Sequence, residues 1–287
     1  MADPVRILNT VHKAAEYFRQ QPGRRGLIVD LTAAGGVAEV LVVGDLHGNL
    51  ENFRSVLQLA ALQRHRQRHV VFQEVVHGPF RYPNDGCLSH QLVDLIAALK
   101  CQYPERVHYV PGNHEIAELR RTRILKNGES QDEAFRQGLE HAYGAYAEQI
   151  HEAYRVLFAA LPIALRTDNG CFICHSLPAD SVIERGFDYG VFEARSLGEA
   201  SLEHGSPLYR LLWGRRTGAT WGRRFLEPLG AHLAITGHLP CPEGFAVVEP
   251  FRLVLDAAGQ PAFGCLVPLG TAGLTLEDLQ SRLVQIA

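Results

Sequence analysis

Val42-Val43-Gly44-Asp45-Leu46-His47-Gly48-Asn49 is the stretch that decides how this chain folds. An apolar run from Val40 to Val43 stops at a glycine. A carboxylate and an imidazole follow two positions apart, then a second glycine and an asparagine before a helical pattern. The spacing predicts a buried strand, a tight loop and a helix capped by Asn49. In extended backbone, residues i and i+2 point the same way. Asp45 and His47 can therefore converge at the mouth of a sheet, where α/β proteins hold their ligands. Such an oxygen–nitrogen pair suits a hard-to-borderline divalent metal.

Upstream, Asp3-Pro4 is a helix opening, with Ile7, Val11, Ala14 and Phe18 at helical spacing and Pro22-Gly23 as the stop. Leu27–Leu31 and Val37–Val43 read as two strands of a hairpin around Gly35-Gly36. Downstream, Leu50, Phe53, Leu57 and Ala60 mark a helix. A basic run from Arg64 to His69 reads as a solvated connection to a strand over Val70–Val76. Leu88, Leu92, Leu95 and Leu99 form another helical stripe, and Val107–Val110 returns as a strand. The order is βαβαβ, which favours parallel crossovers. The middle reads as helical: Ile116–Leu125 ending at Asn127-Gly128, then a long stripe from Phe135 to Leu157. Further strands are expected at Phe172–Cys174, Leu233–Thr236, Ala246–Val248, Leu253–Leu255 and Phe263–Val267, with a closing helix over Thr275–Ile286. The expected architecture is α/β, with two sheets sandwiched between helices. Residues 1–25 would form a helical extension packed on the core, and residues 26–287 one domain.

With 287 residues, 46% of them hydrophobic, the chain can bury a sizeable core. A net charge of −3 gives no reason to expect nucleic acid or an anionic membrane as partner. No stretch is apolar enough to span a bilayer, and Met1-Ala2-Asp3-Pro4 lacks the features of a signal peptide. The six cysteines suggest no disulfide framework, so the expected location is the reducing cytoplasm. Cys171-Phe-Ile-Cys174-His175 matches a short haem-attachment pattern, which the missing export signal outweighs.

Four more chemistry-bearing sites sit where a strand runs out. They are Glu74, Gly112-Asn113-His114-Glu115, His175 and Gly237-His238. With Asp45 and His47 they supply carboxylates, imidazoles and an amide at strand ends of one sheet. Two metals about 3.5–4 Å apart need a carboxylate between them and a few oxygen or nitrogen ligands on each side.

Together, Gly44-Asp-Leu-His47-Gly-Asn49, Gly112-Asn-His-Glu115, the strand-end His175, Leu211-Leu-Trp213 and Thr236-Gly-His238 resemble the signature blocks of calcineurin-like metallophosphoesterases. The branch they look most like is the phosphoprotein phosphatases and their bacterial relatives, diadenosine tetraphosphatases among them. Lys100-Cys-Gln-Tyr103-Pro-Glu105 and Pro240 point to the same branch. The resemblance runs from about Leu41 to Val248. It implies a sandwich of two mixed β-sheets flanked by helices, and two divalent metal ions. Manganese is the first expectation, and iron, zinc or magnesium suit the same donors. One metal would lie on Asp45 and His47, the other on Asn113, His175 and His238, with Glu74 bridging. A metal-bridging hydroxide would attack a phosphomonoester of a protein or small molecule, and His114 would protonate the leaving oxygen. Arginine would meet the phosphate charge.

The second block departs from the family. Where the pattern has Gly-Asp-x-Val-Asp-Arg-Gly, this chain has Gln73-Glu74-Val75-Val76-His77-Gly78-Pro79. Glu74 replaces the bridging aspartate. His77 stands where an aspartate would orient His114, and it offers no negative charge. Gly78 replaces the phosphate-binding arginine, for which Arg81 or Arg215 would substitute, with Arg216, Arg223 and Arg224 as competitors. These changes leave two alternatives to a phosphomonoesterase: a weakly active pseudo-phosphatase acting as a binding module, and a phosphodiester or dinucleoside polyphosphate hydrolase.

Overall fold

Every residue from Val40 to Asp45 is buried in strand β1 (Glu39–Asp45). The structure, a computed structural model, describes residues 3–126 and 128–287. Strand β1 pairs in parallel with β2 (Arg68–Gln73), and β2 with β3 (Val107–Val110). Helix α1 (Pro4–Arg19) precedes them, and α2 (Leu50–Ala60) and α3 (His90–Gln102) make the two crossovers. Antiparallel strands Phe263–Pro268 and Leu283–Gln285 extend this sheet beyond β1 to five strands.

The second sheet has seven strands. From one edge they are Arg24–Arg25, Ile28–Leu31, Ala164–Thr167, β4 (Cys171–Cys174), β5 (Leu233–Thr236), β6 (Arg252–Leu255) and Phe245–Glu249. It contains both parallel and antiparallel pairs, as the first sheet does, so both sheets are mixed. Val40, Val42, Val71 and Val110 of the first sheet pack against Val29, Leu165, Ile173, Ile235 and Leu253 of the second. The outer faces are covered by helices, including α4 (Asn113–Arg120), α5 (Gln131–Tyr143) and α6 (Ala147–Ala160). Helix α1 is capped by Asp3 and buries Val11, Ala14, Ala15 and Phe18 against α3 and α6.

Several expectations need correction. The two apolar runs around Gly35-Gly36 are not a hairpin: Ile28–Leu31 belongs to the seven-stranded sheet and β1 to the other. In α3 the buried face is Leu92, Val93, Ile96, Ala97 and Lys100, while Leu95 faces outward. Helix α4 stops at Arg120, because Arg121 takes a left-handed φ of 56°. Asn127, part of the expected helix stop, lies outside the described residues. The stripe from Phe135 to Leu157 divides into α5 and α6 at Gly144. The last helix covers only Leu276–Ser281, since Leu283–Gln285 pairs with the sheet edge.

Packed sheets stand about 10 Å apart, yet at the end of β1 the gap closes. Asp45 bridges Asp256, and Ala257 N donates to the Asp45 carbonyl at 3.0 Å. Gly44 permits this approach, because a Cβ there would lie 2.1 Å from the Leu255 carbonyl oxygen. The candidate site therefore draws on the strand ends of two sheets, not of one as the sequence reading supposed.

Lys100 shows how tightly the helix layer is built. It is fully buried, donates to the Val107 carbonyl at 2.9 Å and lies 4.3 Å from the Phe18 ring centroid. Burial first, then the nearby Arg24, pushes its ammonium down to about 7. Between that value and the ordinary 10.5, the unfolded chain binds more protons than the folded one, so stability rises with pH. From pH 7 to 9 the gain should be about 2 kcal/mol. Urea melts of Lys100→Met should show that slope flattened, and an unchanged slope would refute the assignment.

Candidate active site

His47 follows β1 in a left-handed conformation with φ 42°, and its backbone N–H donates to the Glu74 carbonyl at 3.1 Å. Its Nδ1 lies 3.0 Å from the Val76 carbonyl, which fixes a hydrogen on Nδ1 and turns Nε2 into the site. Nε2 stands 3.2 Å from Glu74 Oε2. Asn49 caps α2 by accepting from Asn52 N at 3.0 Å. Glu74, one residue past β2, is itself left-handed at φ 28°. Its other oxygen, Oε1, accepts from His114 N at 3.0 Å and lies 3.6 Å from His175 Nε2. Strained backbone of this kind persists only where its surroundings fix it, and it clusters at functional sites. His77 (φ 62°) and His238 (φ 68°) share the feature.

His175 and His238 arrive from the ends of β4 and β5. Asp45 Oδ2 accepts from His238 N at 2.5 Å, and Oδ1 is 3.4 Å from His175 Nδ1. His175 Nε2 lies 3.1 Å from Asn113 Oδ1 and 2.9 Å from His238 Nδ1. Two sets of donor atoms each fall within 4.8 Å: Asp45, Glu74 and His175, and His47, Glu74 and His114. The sequence reading grouped Asp45 with His47. Here Asp45 lies against His175, and Glu74 belongs to both sets.

The donors fit divalent cations. Ligand atoms about 2.1 Å from one ion stand roughly 3 Å from one another, as the spacings here do. Asp45 Oδ1, His175 Nδ1 and His238 Nε2 are buried with no hydrogen-bond partner among the described residues. Buried polar atoms are normally satisfied, so these are atoms in want of a ligand. Charge agrees. Burial would raise the Glu74 carboxyl, but His175, His114 and His47 hold it well below the usual range. Burial would lower His47, yet Glu74 and then Asp45 draw it up to about 9.

Glu115 braces this loop. Its carboxylate accepts from Val75 N, Val76 N and the Tyr109 hydroxyl through Oε1, and from Gly112 N through Oε2, at 2.8–3.0 Å. The reading that His77 leaves His114 without a negative charge is incomplete. His77 Nδ1 is 2.9 Å from His114 Nδ1, but His77 Nε2 is 2.6 Å from Glu118 Oε1. The sequence motifs do not single out Glu118. The available signal was its place four residues after His114 on α4, hence on the same helix face.

The arginines separate. Arg81 turns back to donate to the Gly78 carbonyl at 2.5 Å and to Gln131 Oε1 at 3.4 Å. Arg215 is exposed and donates to the His238 carbonyl at 3.3 Å, at the rim of the cluster. Arg223 and Arg224 line a different cavity with Glu227 and His232. Cys171 and Cys174 are buried in β4 while His175 enters the cluster, which leaves no exposed thiol pair for haem.

The calcineurin-like phosphoesterase family model matches residues 38–242, more than two thirds of the chain. A probable serine/threonine-protein phosphatase of Encephalitozoon cuniculi is 25% identical over 233 residues, covering 75% of this chain and 46% of that protein. The chain thus spans less than half the length of this relative. Among solved structures, a Saccharomyces cerevisiae serine/threonine phosphatase similar to human PP5 superposes with a TM-score of 0.70 at 17% identity, covering 99% of this chain and 89% of that one. A cold-active protein-tyrosine phosphatase of a Shewanella species gives 0.55 at 12% identity, covering 86% and 78%. The two solved structures share the fold, and the match of the family model over most of the chain decides membership: the chain belongs to the calcineurin-like phosphoesterases, a family of metal-dependent hydrolases.

Proposed function

We propose that this chain is a metal-dependent phosphoesterase that hydrolyses a phosphomonoester on a protein or a small molecule. The observation that carries the reading is the Glu74 carboxylate, 3.2 Å from His47 on one side and 3.6 Å from His175 on the other. In this reading Asp45, His47, Glu74, Asn113, His175 and His238 hold two divalent cations. When bound, such ions neutralise phosphoryl charge and make water acidic enough to attack near neutral pH. The protein's own part is orientation and proton handling. His114 Nδ1 is engaged by His77, so its Nε2 is the atom that carries a proton to the leaving oxygen. Arg215, held at the His238 carbonyl, grips the phosphate with a guanidinium fork. Arg81 is the second candidate for that grip.

Next to Gly48 and Asn49 lies a cavity of about 470 Å³, lined also by Arg54, Phe80 and Gln91. It offers room for the part of a substrate that follows the phosphate. The names of the relatives favour a phosphoprotein, and manganese is the metal we expect. Six unpaired cysteines are in keeping with a reducing cytoplasm, and no helix among the described residues is long and apolar enough to cross a membrane.

The test uses metal-depleted protein, 4-nitrophenyl phosphate, a phosphoserine peptide and added Mn²⁺, Fe²⁺, Zn²⁺ or Mg²⁺. Turnover should appear with metal, Mn²⁺ giving the most. Absence of metal-stimulated turnover on both substrates would overturn the reading.

A further inference from the structure

His114 and Glu118 lie one turn apart on the same face of α4, and His77 enters from the loop after β2 to fill the space between them. The contacts continue past Glu118. Its second oxygen, Oε2, is 2.6 Å from His151 Nε2, and Arg155 Nη2 is 3.1 Å from His151 Nδ1. Arg155 Nε also donates to the Glu118 carbonyl at 3.2 Å. His77 and Glu118 are almost fully buried, at 1% and 3% exposure.

The hydrogens in this row can be assigned. An ionised carboxylate only accepts. Burial would raise the Glu118 carboxyl, but hydrogen bonds from His151 and His77 hold it down to about 2. His77 Nε2 and His151 Nε2 must therefore both donate to it. An imidazole whose single hydrogen is on Nε2 has a bare Nδ1, and at 2.9 Å that Nδ1 accepts from His114 Nδ1. That leaves His114 Nε2 free to load and release a proton toward substrate. A histidine at position 77 with no carboxylate behind it could take the opposite tautomer and donate to His114, which would turn the arrangement over.

We propose that Glu118 is a positioning residue for phosphoester cleavage: acting through His77, it fixes the tautomer of His114 and supplies the negative charge that the imidazole at position 77 lacks. The inference rests on the reading of His114 as proton donor. It adds that a histidine–glutamate pair here does the work of a single carboxylate.

Glu118→Gln is the informative change. Glutamine keeps the shape but presents one acceptor and one donor to two N–H groups, so His77 or His151 must change tautomer. Proton donation matters little for 4-nitrophenol, a good leaving group, and much for an alkyl alcohol. With saturating Mn²⁺, kcat on 4-nitrophenyl phosphate should fall less than about 3-fold, and on a phosphoserine peptide by about 10- to 100-fold. The dependence of log kcat on leaving-group pKa should steepen accordingly. Two-bond ¹H–¹⁵N spectra of metal-free protein should show imidazole tautomers changing in the same variant. The double variant His77→Asp/Glu118→Gln places a carboxylate oxygen near the present His77 Nδ1 position, and should restore the shallow slope. Equal losses on the two substrates, unchanged tautomers, or a double variant no better than Glu118→Gln would overturn the proposal. His114→Ala separates the two readings. A wild-type slope in that variant removes His114 as the acid, and the role of Glu118 with it. A steep slope there, with a normal one in Glu118→Gln, removes Glu118 alone.

Discussion

Glu74→Gln should lower bound metal from two ions per chain to one or none and slow phosphoester turnover by about 10³-fold or more, equivalent to about 4 kcal/mol of transition-state stabilisation. The size follows from geometry. One carboxylate lies within 3.6 Å of imidazoles on both sides, and its Oε1 also accepts the backbone N–H of His114. An amide is neutral, binds divalent cations more weakly, and would leave His47 and His175 facing each other without the charge between them. Metal content by elemental analysis and kcat on 4-nitrophenyl phosphate are the two measurements. Two ions retained with turnover within 10-fold of wild type would remove Glu74 from the centre of the site. A binding module without chemistry makes a different forecast: metal lost on substitution, but no wild-type turnover to lose.

The parts of this site that the sequence made legible share one property. Each sits where an apolar run ends at a short polar loop, as in Gly44-Asp45-Leu46-His47 and Thr236-Gly237-His238, and the end of a strand alone places such residues at a sheet mouth. The rest depends on partners remote in sequence. Gly35-Gly36 between two strand-like runs looks like a local turn, but the runs pair with Ala164–Thr167 and Arg68–Gln73 instead, in different sheets. Pairing of that kind is decided by tertiary packing, not by propensity. The carboxylate behind His77 was hidden for the same reason. His114 and Glu118 display helical spacing openly, but nothing in the order of residues says that an imidazole 37 positions away slides between them. Gly44 is the clearest case: its lack of a side chain matters because Leu255, from the other sheet, is its neighbour.

Gly78 carries the last prediction, and it runs against what the family resemblance suggests. That resemblance places a phosphate-binding arginine at this position, so Gly78→Arg looks like a repair. It should instead damage the site. A Cβ at position 78 would lie 1.7 Å from the His47 carbonyl oxygen, 2.6 Å from its carbon and 3.3 Å from the Gly48 Cα. All three are backbone atoms and cannot rotate aside. The loop from Glu74 to Gly78 would have to draw back from the loop from Leu46 to Gly48. These two loops are tied by hydrogen bonds from Leu46 N and His47 N to the Glu74 carbonyl, and by His47 Nδ1 to the Val76 carbonyl. Parting them shifts Glu74 from His47 and His77 from His114 together. A displacement of about 1 Å at a reacting centre costs on the order of 10²-fold in rate, and forcing atoms into a packed site costs about 1–3 kcal/mol of stability. Because the offending atom is the Cβ, Gly78→Ala should do nearly as much harm as Gly78→Arg, which no account based on phosphate affinity would expect. Thermal melts and kcat/KM on 4-nitrophenyl phosphate compare the two variants directly. A Gly78→Arg protein that is as stable as wild type and has a lower KM would show that the loop has room for the arginine after all.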